Sequence, residues 1–80
     1  MHYVYLIESH TASHARYIGY SNNLQQRLIG HNSGKNVSTA AQRPWRLHTY
    51  LAFSSKQQAL AFERYSKSGS GYAFANKCLW

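Results

Sequence analysis

Only two acids, Glu8 and Glu63, stand among 80 residues that include nine Lys/Arg and five His. Any carboxylate chemistry must therefore use one of them. Glu63, in ALAFERYSKSG, neighbours the apolar Leu60 and Phe62 and precedes Lys67 by one helical turn. Read plainly, it is a surface glutamate paired with Lys67, an interaction of ~0.3–0.5 kcal/mol. The other reading is a ligand for a hard divalent cation, since such ions are often held by one or two carboxylates plus substrate phosphates. A two-metal site built from several carboxylates is excluded by the count of acids. Arg27 and His31 share a helical face with Leu24 and Leu28. Arg27 there is either a snorkelling side chain or a guanidinium fork for phosphate oxygens. His31 suits a helix C-terminus, where it could cap carbonyls. Tyr5 and Tyr17 fall in strand-like runs, where aromatics are ordinary packing residues. Gly19 beside them leaves space for a ligand backbone to approach.

The elements that must carry these residues follow from pattern. HYVYLIES, residues 2–9, alternates Tyr3, Tyr5 and Ile7 against Val4, Leu6 and Glu8, as a strand does. HTASHA is polar and turn-like, and RYIGY, residues 16–20, is a second strand forming an antiparallel hairpin with the first. If Val4, Leu6 and Ile18 face the helices, then Tyr3, Tyr5, Tyr17 and Gly19 share the other face. Asn22 and Gln25 form a capping box for a helix that Gly34 stops. Residues 35–44, closed by Pro44, read as loop. WRLHTYLAF places Trp45, Leu47, Thr49, Leu51 and Phe53 on one strand face. Ser55 and Gln58 cap a helix running to about Ser66, whose apolar face includes Ala59, Leu60 and Phe62. SGSG, residues 68–71, ends it, and YAFANKCL forms a last helix packing Phe74 and Leu79 on the core. The order is β-β-α-β-α-α, an α+β domain with a three-stranded antiparallel sheet flanked by helices, as one unit over residues 1–80.

Charge narrows the partners. The formal net charge is +7 and the isoelectric point about 9.9. Such a field favours polyanions, nucleic acid first, ahead of an anionic membrane or an acidic protein. Lys35, Arg43, Arg46, Lys67 and Lys77 are scattered through the fold as candidate phosphate contacts, which suits a folded surface better than a basic arm. The single cysteine, Cys78, rules out an intrachain disulfide and a thiolate zinc site, and it favours a reducing cytoplasm. MHYVYLIESH lacks the layout of a signal peptide, and no apolar run approaches the ~20 residues that span a bilayer.

Taken together, the motifs resemble the GIY-YIG nuclease superfamily. Tyr-Val-Tyr at 3–5 and Tyr-Ile-Gly at 17–19 look like its two half-motifs, although the first keeps only the final tyrosine. YIGYSNNLQQRLIGHNSG continues like the family's first helix, with Arg27 at the arginine position and His31 at a common histidine position. Glu63 matches the glutamate of a later helix. HNSGK, RPWRL and KSGSGYAFANK most resemble small stand-alone bacterial members. The resemblance implies hydrolysis of a nucleic-acid phosphodiester, DNA ahead of RNA, with one magnesium or manganese ion on Glu63. By the same resemblance Arg27 contacts the scissile phosphate, Tyr5 and Tyr17 position or deprotonate the attacking water, and His31 supports the site. Asn76 joins the nucleic-acid contacts, where relatives of this small type often carry basic residues.

Free tyrosine titrates near pH 10, so tyrosinate at pH 7 lies ~4 kcal/mol uphill. Histidine would be the readier base if it reached the water. The motif nevertheless favours Tyr5. Two other readings compete: a basic nucleic-acid-binding module without catalysis, and a purely structural or protein-interaction domain. Eighty residues leave no room for a separate sequence-reading domain. Weak sequence specificity is therefore expected, with targeting by DNA shape or strandedness, by a protein partner or by homodimer formation.

Overall fold

The computed structural model describes residues 1–11 and 15–80. Its elements are β1 (His2–Ser9), β2 (Arg16–Ser21), α1 (Leu24–Asn32), α2 (Val37–Ala40), β3 (Trp45–Phe53), α3 (Lys56–Ser66) and α4 (Gly69–Cys78). The sheet is antiparallel with strand order β2-β1-β3. The expected α+β class and three-stranded sheet are therefore present. The hairpin closes through the Ser9 N–H donating to the Ala15 carbonyl at 2.9 Å. Part of the expected turn, residues 12–14, lies outside the described residues.

The central strand decides the layering. Val4, Tyr5, Leu6 and Ile7 are all buried, so both faces of β1 are covered. Leu6 pairs with Ile18 and Thr49, and Val4 with Tyr20 and Leu51. This face carries α3 and α4: Phe62 lies 5.7 Å from Phe53, and the Thr49 hydroxyl donates to the Leu79 carbonyl. On the other face Tyr5, Ile7 and Trp45 form a cluster with Tyr17 and, from α1, Leu24 and Leu28. The tyrosine face is thus not the open one; it lies beneath α1.

Four local expectations need correction. The N-cap of α1 is Asn23, not Asn22, and its side chain accepts from the Gln26 N–H at 3.1 Å. The shift arises because the buried Ser21 hydroxyl accepts from the Asn23 N–H and donates to the Asn23 carbonyl, each at 2.9 Å. Residues 35–44 contain a helical turn, α2, capped by the Asn36 side chain accepting from Ser38 N–H. The faces of β3 do not alternate throughout: Leu6 pairs with Thr49 but Ile7 with Leu47. His48 is an extra residue there, so Trp45 and Leu47 join the α1 side while Thr49, Leu51 and Phe53 face α3 and α4. Finally, SGSG does not merely end a helix. Ser68 caps α4, and Gly71 lies so close to the Tyr65 carbonyl that a Cβ would overlap it. That close approach fixes the α3–α4 corner. Ala75 is the buried anchor of α4, whereas Phe74 is exposed.

The expected cap on α3 is present, with the Ser55 hydroxyl accepting from the Gln58 N–H. Trp45 is the main tie between layers. Its N–H donates to Asn32 Oδ1 at 2.5 Å, and Asn32 Nδ2 donates back to its carbonyl at 3.0 Å. Its indole N–H donates to the Thr39 carbonyl at 2.8 Å. One residue of β3 therefore ties the end of α1 and, through Thr39, α2 to the sheet.

Candidate catalytic site

The site grows from the β1–β2 pairing. Tyr5 lies directly opposite Gly19, and Ile7 opposite Tyr17. A Cβ on Gly19 would overlap the Tyr5 hydroxyl and ring, so the missing side chain admits this phenol. The space expected for a ligand backbone is therefore filled by Tyr5 itself. From α1, His31 descends onto both tyrosines, with ring centroids 5.7 Å from Tyr5 and 5.1 Å from Tyr17.

His31 is 1% exposed, and both ring nitrogens have partners. Nε2 lies 2.8 Å from the Tyr5 hydroxyl, and Nδ1 lies 2.8 Å from Thr39 Oγ1. Thr39 Oγ1 also donates to the Asn36 carbonyl at 3.4 Å. One proton arrangement satisfies every group. Tyr5 O–H donates to Nε2, Nδ1–H donates to Thr39, and Thr39 O–H donates to the carbonyl. His31 is thus an interior bridge, not the carbonyl cap expected at a helix end.

The electrostatics agree with a neutral pair. Burial, then the charge of Arg27, holds His31 below its ordinary value of 6.5. Burial also pushes the Tyr5 pKa far above its ordinary value, with Tyr17 and Glu63 acting in the same direction and Arg27 against them. Tyr5 carrying its charge alone at neutral pH would therefore be more costly than for free tyrosine, so a Tyr5 base depends on help from its neighbours.

Glu63 approaches from α3. Its Oε2 lies 2.7 Å from Lys67 Nζ, so the plain surface pair exists. The same ammonium lies 5.4 Å from the Tyr17 ring centroid, which brings the pair to the tyrosine cluster. The Glu63 side chain is partly buried, 22% exposed. Arg27 is exposed and, with His31, lines a cleft of about 630 Å³ that also includes Ser21, Lys35 and Asn36.

No group of three or more His, Cys, Asp or Glu among the described residues is arranged to hold a metal. Glu63 nevertheless fits one hard cation: it offers a partly exposed carboxylate, with Oε2 shared with a displaceable ammonium. The remaining ligands would be water and substrate oxygens. Glu8 is not an alternative. It accepts from the Arg46 guanidinium Nε at 2.9 Å, and this hydrogen bond chiefly holds its carboxyl below the usual range.

Tyr5, Tyr17, His31, Glu63 and Lys67 are thus brought together, with Arg27 and Lys35 at the adjoining cleft. Other candidates are elsewhere. Arg46 is tied to Glu8, and Arg43 lies over Gly34 while its Nε donates to the Ala40 carbonyl at 2.8 Å. Asn76, on α4, accepts from Arg16 at 3.4 Å. Lys77 lies in the last turn of that helix. Sequence reading missed Thr39 and Asn36. The available signal was Asn36 followed by Ser38 and Thr39, a cap pattern hidden by treating residues 35–44 as loop.

The comparison with protein families gives the class: residues 1–73 match the profile of the GIY-YIG catalytic domain. The chain belongs to this family, which implies a domain of nuclease type. Among individual relatives, it is 41% identical over 63 residues to a UPF0213 protein of Bacillus pumilus, covering 78% of this chain and 62% of that protein. A UPF0213 protein of Bacillus licheniformis is 40% identical over 67 residues, covering 82% of this chain and 67% of the relative. The chain thus spans only part of the length of these relatives. The solution NMR structure of a UPF0213 protein from Bacillus halodurans matches with TM-score 0.56 and 32% identity, covering 98% of this chain and 84% of that one. Among the described residues, no helix is long and apolar enough to cross a membrane.

Proposed function

We propose that this chain is an endonuclease domain hydrolysing DNA phosphodiesters with one divalent cation, magnesium or manganese, on Glu63. The observation carrying this reading is the buried Tyr5–His31 hydrogen bond of 2.8 Å beneath a cleft lined by Arg27. A tyrosine too buried to ionise alone is joined there to a histidine held neutral. As water attacks phosphorus, Tyr5 oxygen takes a water proton while the Tyr5 proton passes to His31 Nε2. His31 then carries one proton on each nitrogen, and Thr39 accepts from Nδ1–H. Arg27 offsets charge developing on the phosphoryl oxygens. Tyr17 flanks the water and contacts both His31 and Lys67. A cation held by Glu63 would supply Lewis-acid stabilisation of the charge that develops in the reaction.

The test is incubation of the pure protein with single-stranded, duplex and branched DNA plus magnesium or manganese. Cleavage by wild type and none by Glu63→Ala is the expected result. Failure to cut every substrate, or equal cutting by Glu63→Ala, would refute it. Salt-sensitive binding by an inert wild type would instead favour the non-catalytic module that the +7 charge also supports.

A further inference from the structure

A second groove, of about 760 Å³, lies on the other side of the sheet from the tyrosine cluster. Arg16, Ile18, Tyr72, Asn76 and Trp80 line it, with no acid among them. Successive residues of β2 point to opposite faces, so Tyr17 serves the catalytic cluster while Arg16 and Ile18 face this groove. The Arg16 guanidinium carbon lies 4.6 Å from the Trp80 ring centroid, with the Asn76 amide oxygen accepting from its Nη1 at 3.4 Å. His48, the extra residue of the bulge, brings its ring to 5.4 Å from Trp80. Tyr72 stands at the groove with 63% of its surface exposed. None of these side chains is required by the hydrolytic site.

We propose that this groove holds an unpaired segment of nucleic acid flanking the cut, with a base stacked on Tyr72 and the backbone drawn to Arg16. The groove and such a strand are complementary in chemistry. Exposed aromatic faces receive bases of any sequence, and a guanidinium plane stacked on an indole offers both a stacking surface and phosphate hydrogen bonds. The amide of Asn76 adds a donor and an acceptor for a base edge. The net charge of +7 favours a polyanion over an uncharged peptide. A duplex keeps its bases stacked on one another, so only an unpaired strand can use the aromatic faces. Because β2 is the edge strand, a strand crossing that edge passes from groove to catalytic cluster. The groove's role rests on the nuclease reading for its biological sense, and it narrows the substrate to DNA with a single-stranded segment beside the scissile bond.

The test needs no cleavage. Metal-free protein in chelator at low salt is titrated with a short oligo-dT and, separately, with a duplex of the same length. Trp80 is the reporter, since the other tryptophan, Trp45, is buried at 4% exposure. Oligo-dT should quench emission, and Tyr72→Ala should weaken its binding about ten-fold, the scale of one base–aromatic stack. Tyr72→Phe should bind like wild type. So should Tyr50→Ala, which removes an exposed tyrosine from the opposite face of the sheet. Oligo-dT binding that leaves emission unchanged, equal binding by Tyr72→Ala, or no oligo-dT binding would overturn the groove assignment. Cleavage of duplex under those outcomes would leave the nuclease reading intact. Conversely, quenching with no cleavage would support the groove and sink the nuclease.

Discussion

The hydroxyl of Thr39 gives the sharpest test of the catalytic relay. Thr39 is 2% exposed, and its Oγ1 lies 2.8 Å from His31 Nδ1. Thr39→Val preserves shape but removes this partner, leaving a buried N–H without an acceptor. That costs about 1–3 kcal/mol. For a domain of this size each kcal/mol lowers the melting temperature by roughly 4–8 °C, so a loss of about 2 kcal/mol corresponds to roughly 8–16 °C. The kinetic effect follows from the tautomer. Without Thr39, nothing accepts from Nδ1–H, so the imidazolium formed when Nε2 takes the Tyr5 proton loses its stabilising partner. General-base assistance contributes typically 10²–10⁴-fold, and a drop in kcat of about ten-fold or more is expected, with KM little changed. Thr39→Ser restores the hydroxyl and should recover both quantities. The assays are thermal unfolding by circular dichroism and steady-state cleavage across a pH series. Wild-type stability and kcat in Thr39→Val, or equal damage by Thr39→Ser, would refute the relay.

The remaining predictions concern charge. Because His31 titrates below its ordinary 6.5 when folded, the unfolded chain takes up this proton first as pH falls. The stability it contributes is complete above about pH 6.5 and is lost as pH falls from there through the folded value. Ring-nitrogen NMR should show a neutral His31 at pH 7, and an imidazolium there would contradict this. Lys67→Ala frees the Glu63 carboxylate and should lower the metal concentration giving half-maximal cleavage, while raising KM for DNA. A higher metal requirement would show that Lys67 does not compete for Glu63. Lys35→Ala at the cleft should weaken DNA binding and flatten its dependence on log salt by about 0.9 for each duplex phosphate it ceases to neutralise. Arg46→Ala should change that slope less, because its guanidinium is engaged by Glu8. Equal slopes for these two variants would contradict that distinction.

What could be read from the chain alone depended on how local the cause was. The β1 alternation and the Ser55 cap are set by neighbouring residues, and both appear as expected. The β3 alternation failed because an extra residue at His48 is accommodated against β1, at Leu6 and Ile7 far earlier in the chain. Asn22 lost the cap of α1 because Ser21, still in the strand, takes hold of Asn23. For the site, Tyr5, Tyr17, His31 and Glu63 were legible through motif order, and the structure brings them together. Thr39 was not, because its importance comes from a turn of helix held in place by Trp45. Residue type and spacing name a titratable group; the partner that sets its proton position comes from tertiary packing.

The same packing bears on how a domain with two acids could cut a polyanion. Tyr5 lies under α1 and His31 on it, clamped by Asn32 and Thr39 through Trp45. The carboxylate is on α3, whose neighbours are on the opposite sheet face. These halves meet at Tyr17 on the edge strand β2, with His31 near one side of its ring and Lys67 above it. A sheet edge is usually a liability. Here it is where a phosphodiester could reach Glu63 and Tyr17, with the Arg27 cleft adjoining. The proposed reaction therefore places the substrate at the edge strand β2 and not over the middle of the sheet.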